Sequence, residues 1–194
     1  MKKGIALIAA GILLISVSCK NDKKKETPKA EDTQETITTT QNTGVKKITF
    51  ALEPKSESNV SGKVVFKEED GKVTMTAIME GLSEGIHAIH IHEKADCSSA
   101  DGKSTGGHWN PTAEPHGKWG AEEGYHKGDI GNFEVKADGF GTITFSTDEW
   151  CIGCGDKNKD VIGKAIIVHE GTDDFTSQPS GAAGARVSCG GIIQ

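Results

Sequence analysis

Seven histidines occur in this chain of 194 residues, and they are clustered. Three lie in Gly85-Ile86-His87-Ala88-Ile89-His90-Ile91-His92. His108, His116 and His126 follow in a loop-like stretch ending at Asp129, and His169 closes an apolar run. Histidine is the commonest metal ligand. Alternate residues of a strand share a face, so His90 and His92 point one way and His87, Ile89 and Ile91 the other. Two histidines two apart on one strand face form a rigid two-nitrogen chelate. His87, on the apolar side, reads as a hydrogen-bonded core histidine. Six histidines and one aspartate are too many for one four-coordinate ion, so two sites sharing a ligand fit better. An all-imidazole set suits Cu(II), and a histidine-rich set with one carboxylate suits Zn(II).

Such ligands need a rigid frame, and the sequence supplies short strands. Ile48, Phe50 and Leu52 alternate with Thr49, Ala51 and Glu53. Apolar runs at 64–66 and 73–78 flank Asp70-Gly71, a strong hairpin signal. Runs at 133–136 and 142–145 flank Asp138-Gly139, which predicts a second hairpin. With 86–92, 163–169 and 186–192 these make eight candidate strands, and no segment keeps a helical period. The fold class expected is all-β, an eight-stranded Greek-key β-barrel or sandwich of immunoglobulin-like kind. Segments 94–128 and 170–185 are too long for hairpin loops, and long loops on a rigid scaffold carry function.

Composition agrees. There are 25 glycines and only 5% aromatic residues, which suits tight turns and small strands. A formal charge of −6 excludes bulk attraction to nucleic acid. No apolar run reaches the roughly 18 to 20 residues of a membrane span. Residues 1–18 read as a signal peptide: Lys2 and Lys3, an apolar stretch, then Ser18 before Cys19. Ser18-Cys19 resembles a bacterial lipobox, in which the cysteine is acylated, although Ser16 stands where that box has leucine. A plain secretory signal is the alternative, and either implies export, where disulfides are permitted. Residues 19–44 then form a lipidated cysteine and a charge-balanced, Thr-rich tether that cannot bury enough surface to order itself. The globular domain is 45–194. Its membrane contact would be through the lipid anchor alone, in the cell envelope, facing the periplasm or on the outer membrane, towards which Lys20 after the cysteine leans.

Five strings in register give a more specific signal: GIHAIHIHEKADC from Gly85, GGHWNP from Gly106, GDIGN from Gly128, IIVHEGTDD from Ile166 and GAAGARVSCGGII from Gly181. Together they resemble the copper/zinc superoxide dismutases, in particular their exported bacterial branch, over 45–194. The resemblance implies one copper and one zinc per chain. His90, His92, His108 and His169 match the copper ligands, and His108, His116, His126 and Asp129 the zinc ligands. His108 would bridge the two ions. Asp173 matches the carboxylate that bonds a copper histidine and a zinc histidine, here His90 and His116. Arg186 matches the arginine beside the open copper face.

The implied activity is disproportionation of superoxide to dioxygen and hydrogen peroxide, protecting the cell envelope. Arg186 would attract the anion and His108 would move a proton. No organic cofactor is implied, and the family includes monomers and homodimers. A non-catalytic copper- or zinc-binding protein, or a copper-delivery protein, on the same fold is the alternative. Such relatives lose a copper ligand or the arginine, and this chain keeps all of them.

Cys97 and Cys189 match the family's disulfide. Cys151 and Cys154 fall outside the family pattern. A local structural disulfide is the favoured reading, with redox activity or transient Cu(I) binding as alternatives. The 170–185 loop has no Lys or Glu after Glu170, so Lys94 and Lys103 are candidates for steering the anion.

Overall fold

The structure, a computed structural model, describes residues 44–193. The expected signal peptide, Cys19 and nearly all of the expected tether lie outside the described residues. Within them are eight strands: β1 (Lys46–Pro54), β2 (Ser61–Glu69), β3 (Lys72–Glu80), β4 (Gly85–His92), β5 (Gly131–Val135), β6 (Gly141–Thr147), β7 (Ala165–His169) and β8 (Arg186–Gly191). They close into an antiparallel barrel in the order β1-β2-β3-β6-β5-β4-β7-β8. The chain crosses between β3 and β4 and again between β6 and β7. These are Greek-key connections, as the sequence implied.

The β2–β3 turn is the one Asp70-Gly71 dictates. Both residues have positive φ, 51° and 74°, the pairing such a two-residue hairpin requires. Glu69 then faces Lys72 and the register runs on to Ser61↔Glu80. The predicted hairpin at Asp138-Gly139 is only marginal. β5 and β6 share the single pair Val135↔Gly141, while β6 lies along β3 from Val73↔Thr147 to Met79↔Gly141. Cross-strand hydroxyl pairs explain that choice: Thr74 meets Ser146 at 2.9 Å and Thr76 meets Thr144 at 3.3 Å.

Alternation fills the barrel. Val64, Phe66, Met75, Ala77, Ile89, Ile91, Ile166 and Val168 are buried in one core with Trp150. Each Val, Ile, Met or Phe side chain among them contributes roughly 1.5 to 3 kcal/mol of burial. β7 is buried along its whole length. Ile166 and Val168 enter the barrel, while Ala165 and Ile167 pack outside it against Cys189. The loop between β4 and β5 covers that outer face, which is why β7 reads as an unbroken apolar run.

Trp109 joins the core, with the Lys164 ammonium 5.7 Å from its ring centre. Trp119 packs edge-on to Phe145 and Trp150 and lies 4.9 Å from the Tyr125 ring.

Candidate metal centre

Backbone hydrogen bonds bring the first long loop onto β4. Ile91 N–H donates to Gly128, Trp109 N–H to Ile91, Gly128 N–H to Trp109, and Glu93 N–H to Gly107. His108 is thereby bridged to His92. On β4, His87 faces inward as parity predicts. Its Nδ1 donates to the His169 carbonyl at 3.0 Å and its Nε2 lies 2.9 Å from the Ser83 carbonyl. The Ser83 hydroxyl, 3.3 Å from the same Nε2, can donate to it. His90 and His92 face the other way, beneath the loop.

Two ligand sets result. His90, His92, His108 and His169 place one ring nitrogen each within 4.8 Å of one another, and so do His108, His116 and His126 with an oxygen of Asp129. All seven residues are buried. The structure thus brings together every ligand candidate read from the sequence, in the two expected groups, with His108 common to both. The His90 and His108 ring centres are 4.0 Å apart.

Three of the rings are oriented from behind. His90 Nε2–H donates to Asp173 Oδ2 and His116 Nε2–H to Asp173 Oδ1, both at 2.9 Å. His92 Nδ1–H donates to the Gly106 carbonyl at 3.0 Å. These bonds fix the tautomers and leave His90 Nδ1, His116 Nδ1 and His92 Nε2 with free lone pairs. Asp129 is anchored by the backbone N–H groups of His126 and Gly117, and its Oδ1 lies 2.8 Å from His108 Nδ1.

The free nitrogens test whether metals fit. His90 Nδ1, His92 Nε2, His108 Nε2, His116 Nδ1, His126 Nδ1 and both nitrogens of His169 are buried without hydrogen-bond partners. An unsatisfied buried polar atom costs about 1 to 3 kcal/mol, and seven in one place call for a ligand. Their chemistry, four imidazoles in one set and three imidazoles with a carboxylate in the other, fits Cu(II) and Zn(II).

Protonation is set by the same surroundings. Burial, then the neighbouring histidines, drives His92 and His169 well below the usual imidazole value. Burial also lowers His108 to about 4, against the pull of Asp129. Burial opposes charge on His116, but the carboxylates of Asp129 and Asp173, 3.0 and 2.9 Å from its two nitrogens, outweigh it and raise the group to about 9. Burial would raise Asp129, yet its bonds to His108, His116 and His126 hold it far below the carboxylate range. Asp173 is lowered in the same way by His116 and His90.

A cavity of about 290 Å³ opens onto His92, His108 and His169, and Arg186, Asp101 and Lys103 line it. Arg186 Nη1 donates to the Gly102 carbonyl at 2.9 Å and to Thr105 Oγ1 at 3.0 Å. Thr105 in turn donates to Gly102. Lys103 is largely exposed and pairs with Asp101 at 3.0 Å, which offsets its charge. Lys94 is not among the lining residues.

Cys97 and Cys189 form the expected disulfide. It pins the loop carrying Gly102 and Thr105 to β8, from which Arg186 emerges. Cys151 and Cys154 form a second disulfide, as the favoured reading had it. Chain-entropy reasoning gives roughly 4 to 5 kcal/mol for the first, with its sequence separation of 92, and roughly 2 for the second, with its separation of three. The second therefore contributes less than half as much as the first.

Several supporting residues were not picked out from sequence. Gln178 brackets the His116 backbone, accepting from its N–H and donating to its carbonyl. Asn132 does the same for Asp173. Thr105 props Arg186. Gln178 and Thr105 lie outside the five strings, whereas Asn132 ends GDIGN and Gly181 opens GAAG.

The family described as copper/zinc superoxide dismutase (SODC) matches residues 60–192. Among solved structures, the chain is similar to a double mutant of a SOD-like protein from Bacillus subtilis. The two share 32% identity with a TM-score of 0.67, over 75% of this chain and 97% of that one. With the barrel, the shared histidine and the placement of Arg186 already in view, that match leads to one assignment: this chain belongs to the copper/zinc superoxide dismutase family.

Proposed function

We propose that this chain is a superoxide dismutase that binds one copper and one zinc. The observation that carries the reading is His108. Its Nδ1 meets Asp129, while its buried, unpartnered Nε2 belongs with His90, His92 and His169 at a cavity shared with Arg186. Copper held by His90, His92, His108 and His169 supplies a one-electron couple, and zinc held by His108, His116, His126 and Asp129 supplies fixed positive charge.

The protein's own part is binding, orientation and proton supply. Two superoxide anions and two protons give dioxygen and hydrogen peroxide. Arg186, locked by Gly102 and Thr105, offers a positive charge and N–H donors to the small anion. When free of the metal, His108 Nε2 would carry one proton to the departing peroxide, and water would supply the other. Asp129 and Asp173 keep the rings from turning, so no reorganisation is needed during turnover.

The location proposed is the cell envelope, with export by residues 1–18 and anchoring through Cys19. Superoxide is charged and crosses membranes poorly, so an exported enzyme meets what forms outside the cytoplasm.

The test is metal analysis with a dismutation assay on the purified full chain. One copper and one zinc with fast dismutation is the expected result. A chain that holds both metals yet leaves superoxide decay at its spontaneous rate would overturn the reading.

A further inference from the structure

We propose that Cys151, Cys154 and Asp160 form a third metal site, separate from the histidine clusters, which takes one thiophilic d¹⁰ dication such as Zn(II) when the two cysteines are reduced. Their sulfur and carboxylate atoms all lie within 4.8 Å of one another. The Cα atoms of the two cysteines are 6.0 Å apart, and a two-residue spacer between cysteines is what structural zinc sites use for two of their ligands.

The frame is rigid. Trp150, Ile152 and Val161 are buried in the barrel core. Cys151 N–H donates to Lys159, Val161 N–H donates to Cys151, and Ile152 N–H donates to Glu68 Oε2 at 2.7 Å. Asp160 Oδ1 accepts from Gly153 and Ile162, whereas Oδ2 accepts only from Gly155. A carboxylate has about four lone-pair positions, so one at Oδ2 remains for a cation. Water completes the fourth position.

The carboxylate also separates this reading from a thiol–disulfide oxidoreductase. A reactive cysteine needs a cation or a helix N-terminus to favour its thiolate. Here the charged group within ligand distance of both sulfurs is the Asp160 anion. The nearby Lys46 ammonium, which donates to the Ile152 carbonyl at 2.7 Å, is paired with Glu68 at 3.4 Å, and the short 3₁₀ turn Lys103–Thr105 is the one helical element among the described residues. Asp160 works against free thiolates but adds to the affinity for a dication, which then displaces the thiol protons itself.

The disulfide is closed in the structure, so the site is reached by reduction. A thiol reductant gives two electrons and two protons, the Cys151–Cys154 bond breaks, and the reductant leaves as its own disulfide. Binding one dication then releases the two thiol protons. Cys154 is exposed, while Cys189 of the other bridge is fully buried and Cys97 packs against it. A reductant therefore reaches Cys154 first.

The test uses the full chain with both histidine sites loaded. It is treated under native conditions with a water-soluble phosphine, which is then removed, and is titrated with Cd(II) while ultraviolet thiolate-to-metal absorption and bound cadmium are recorded. The parent should bind one cadmium more than the Cys151→Ser, Cys154→Ser double variant and should alone show the thiolate band. The comparison cancels any contribution from Cys19 or the zinc ligands. Asp160→Asn should weaken the extra binding by about tenfold or more, or abolish it. Equal uptake by parent and double variant, or a bridge that survives the phosphine in the folded chain, overturns the site. Unchanged affinity in Asp160→Asn overturns the third ligand. Dismutation in the double variant should equal that of the parent, so this outcome is independent of the proposed enzymatic function.

Discussion

Gly181 lies so close to Asp173 that a Cβ at this position would overlap the carboxylate and stand 2.7 Å from His116 Nε2. The backbone there has a φ of 66°, where a side chain is strained in any case. The glycine is thus what lets the second long loop bring one carboxylate between His90 and His116.

Gly181→Ala should displace Asp173 and weaken zinc binding by about 10- to 100-fold, the range for loss of a ligand's supporting partner. Asp173→Asn should do the same with less distortion, because an amide accepts from one histidine but turns N–H groups on the other. Competition with a chromophoric chelator measures both. Parent-like zinc affinity in the two variants would remove Asp173 from the assembly of the site.

Arg186→Ala should slow dismutation by about 10- to 100-fold, the range expected for one charge-assisted hydrogen bond. It should keep both metals, because Arg186 is not in either ligand set. Inhibition by small anions should weaken in parallel. Arg186→Lys should restore part of the rate, since the charge returns without the planar fork. Rate and anion inhibition on protein of known copper content decide it.

The metal-free protein should be most stable near neutral pH. His92, His108 and His169 are lowered in the folded state, His108 to about 4. Below about pH 6.5 the unfolded chain therefore binds more protons at these groups, and stability falls as pH drops. His116 is raised to about 9, so its contribution is complete below about pH 6.5 and is lost as pH rises through 9. Zinc should abolish that alkaline limb by taking His116 as neutral imidazole. Urea midpoints between pH 4 and 10, with and without zinc, would show it; a flat metal-free profile would contradict the assignment.

His87→Ala should lower stability and leave the metals in place. The ring is buried and bonded to the His169 and Ser83 backbone, so its loss leaves a cavity and an unsatisfied carbonyl, together about 2 to 4 kcal/mol. Denaturant unfolding gives the cost and metal analysis the specificity. Loss of copper from a fully folded variant would place His87 in the metal site after all.

Cys19→Ser should release the protein from the membrane fraction with unchanged activity per copper. The tether has no apolar face and the domain is acidic, so acyl chains alone would hold it, at roughly 0.8 kcal/mol per buried CH₂. A variant that stays with membranes through a high-salt wash would rule out the lipid anchor.

Alternation and turn chemistry carried much of the fold into the sequence. Asp70-Gly71 marked its hairpin, and the parity of His87 against His90 and His92 foretold which rings face the core. Asp138-Gly139 misled in degree, because local turn residues cannot report that β6 finds its hydroxyl partners on β3. Residue types and spacing pointed to two metal sites with a shared ligand. Which histidine was shared came from the resemblance, since His108 reaches His92 only through the loop's non-local bonds. Gln178 and Thr105 were illegible for a related reason: each acts on a backbone group or side chain far away or in a loop without period.

The seam between β5 and β6 has a consequence for how this barrel fails. A closed barrel presents no free strand edge to template pairing with another molecule. With the single pair Val135↔Gly141 holding that seam, the ring is fastened there like a bracelet at its clasp. Local opening should begin at that clasp, exposing strand edges on the side of the ring opposite the β8–β1 junction. Amide exchange should be fastest along the facing edges of β5 and β6, and association of stressed protein should start from the same two strands.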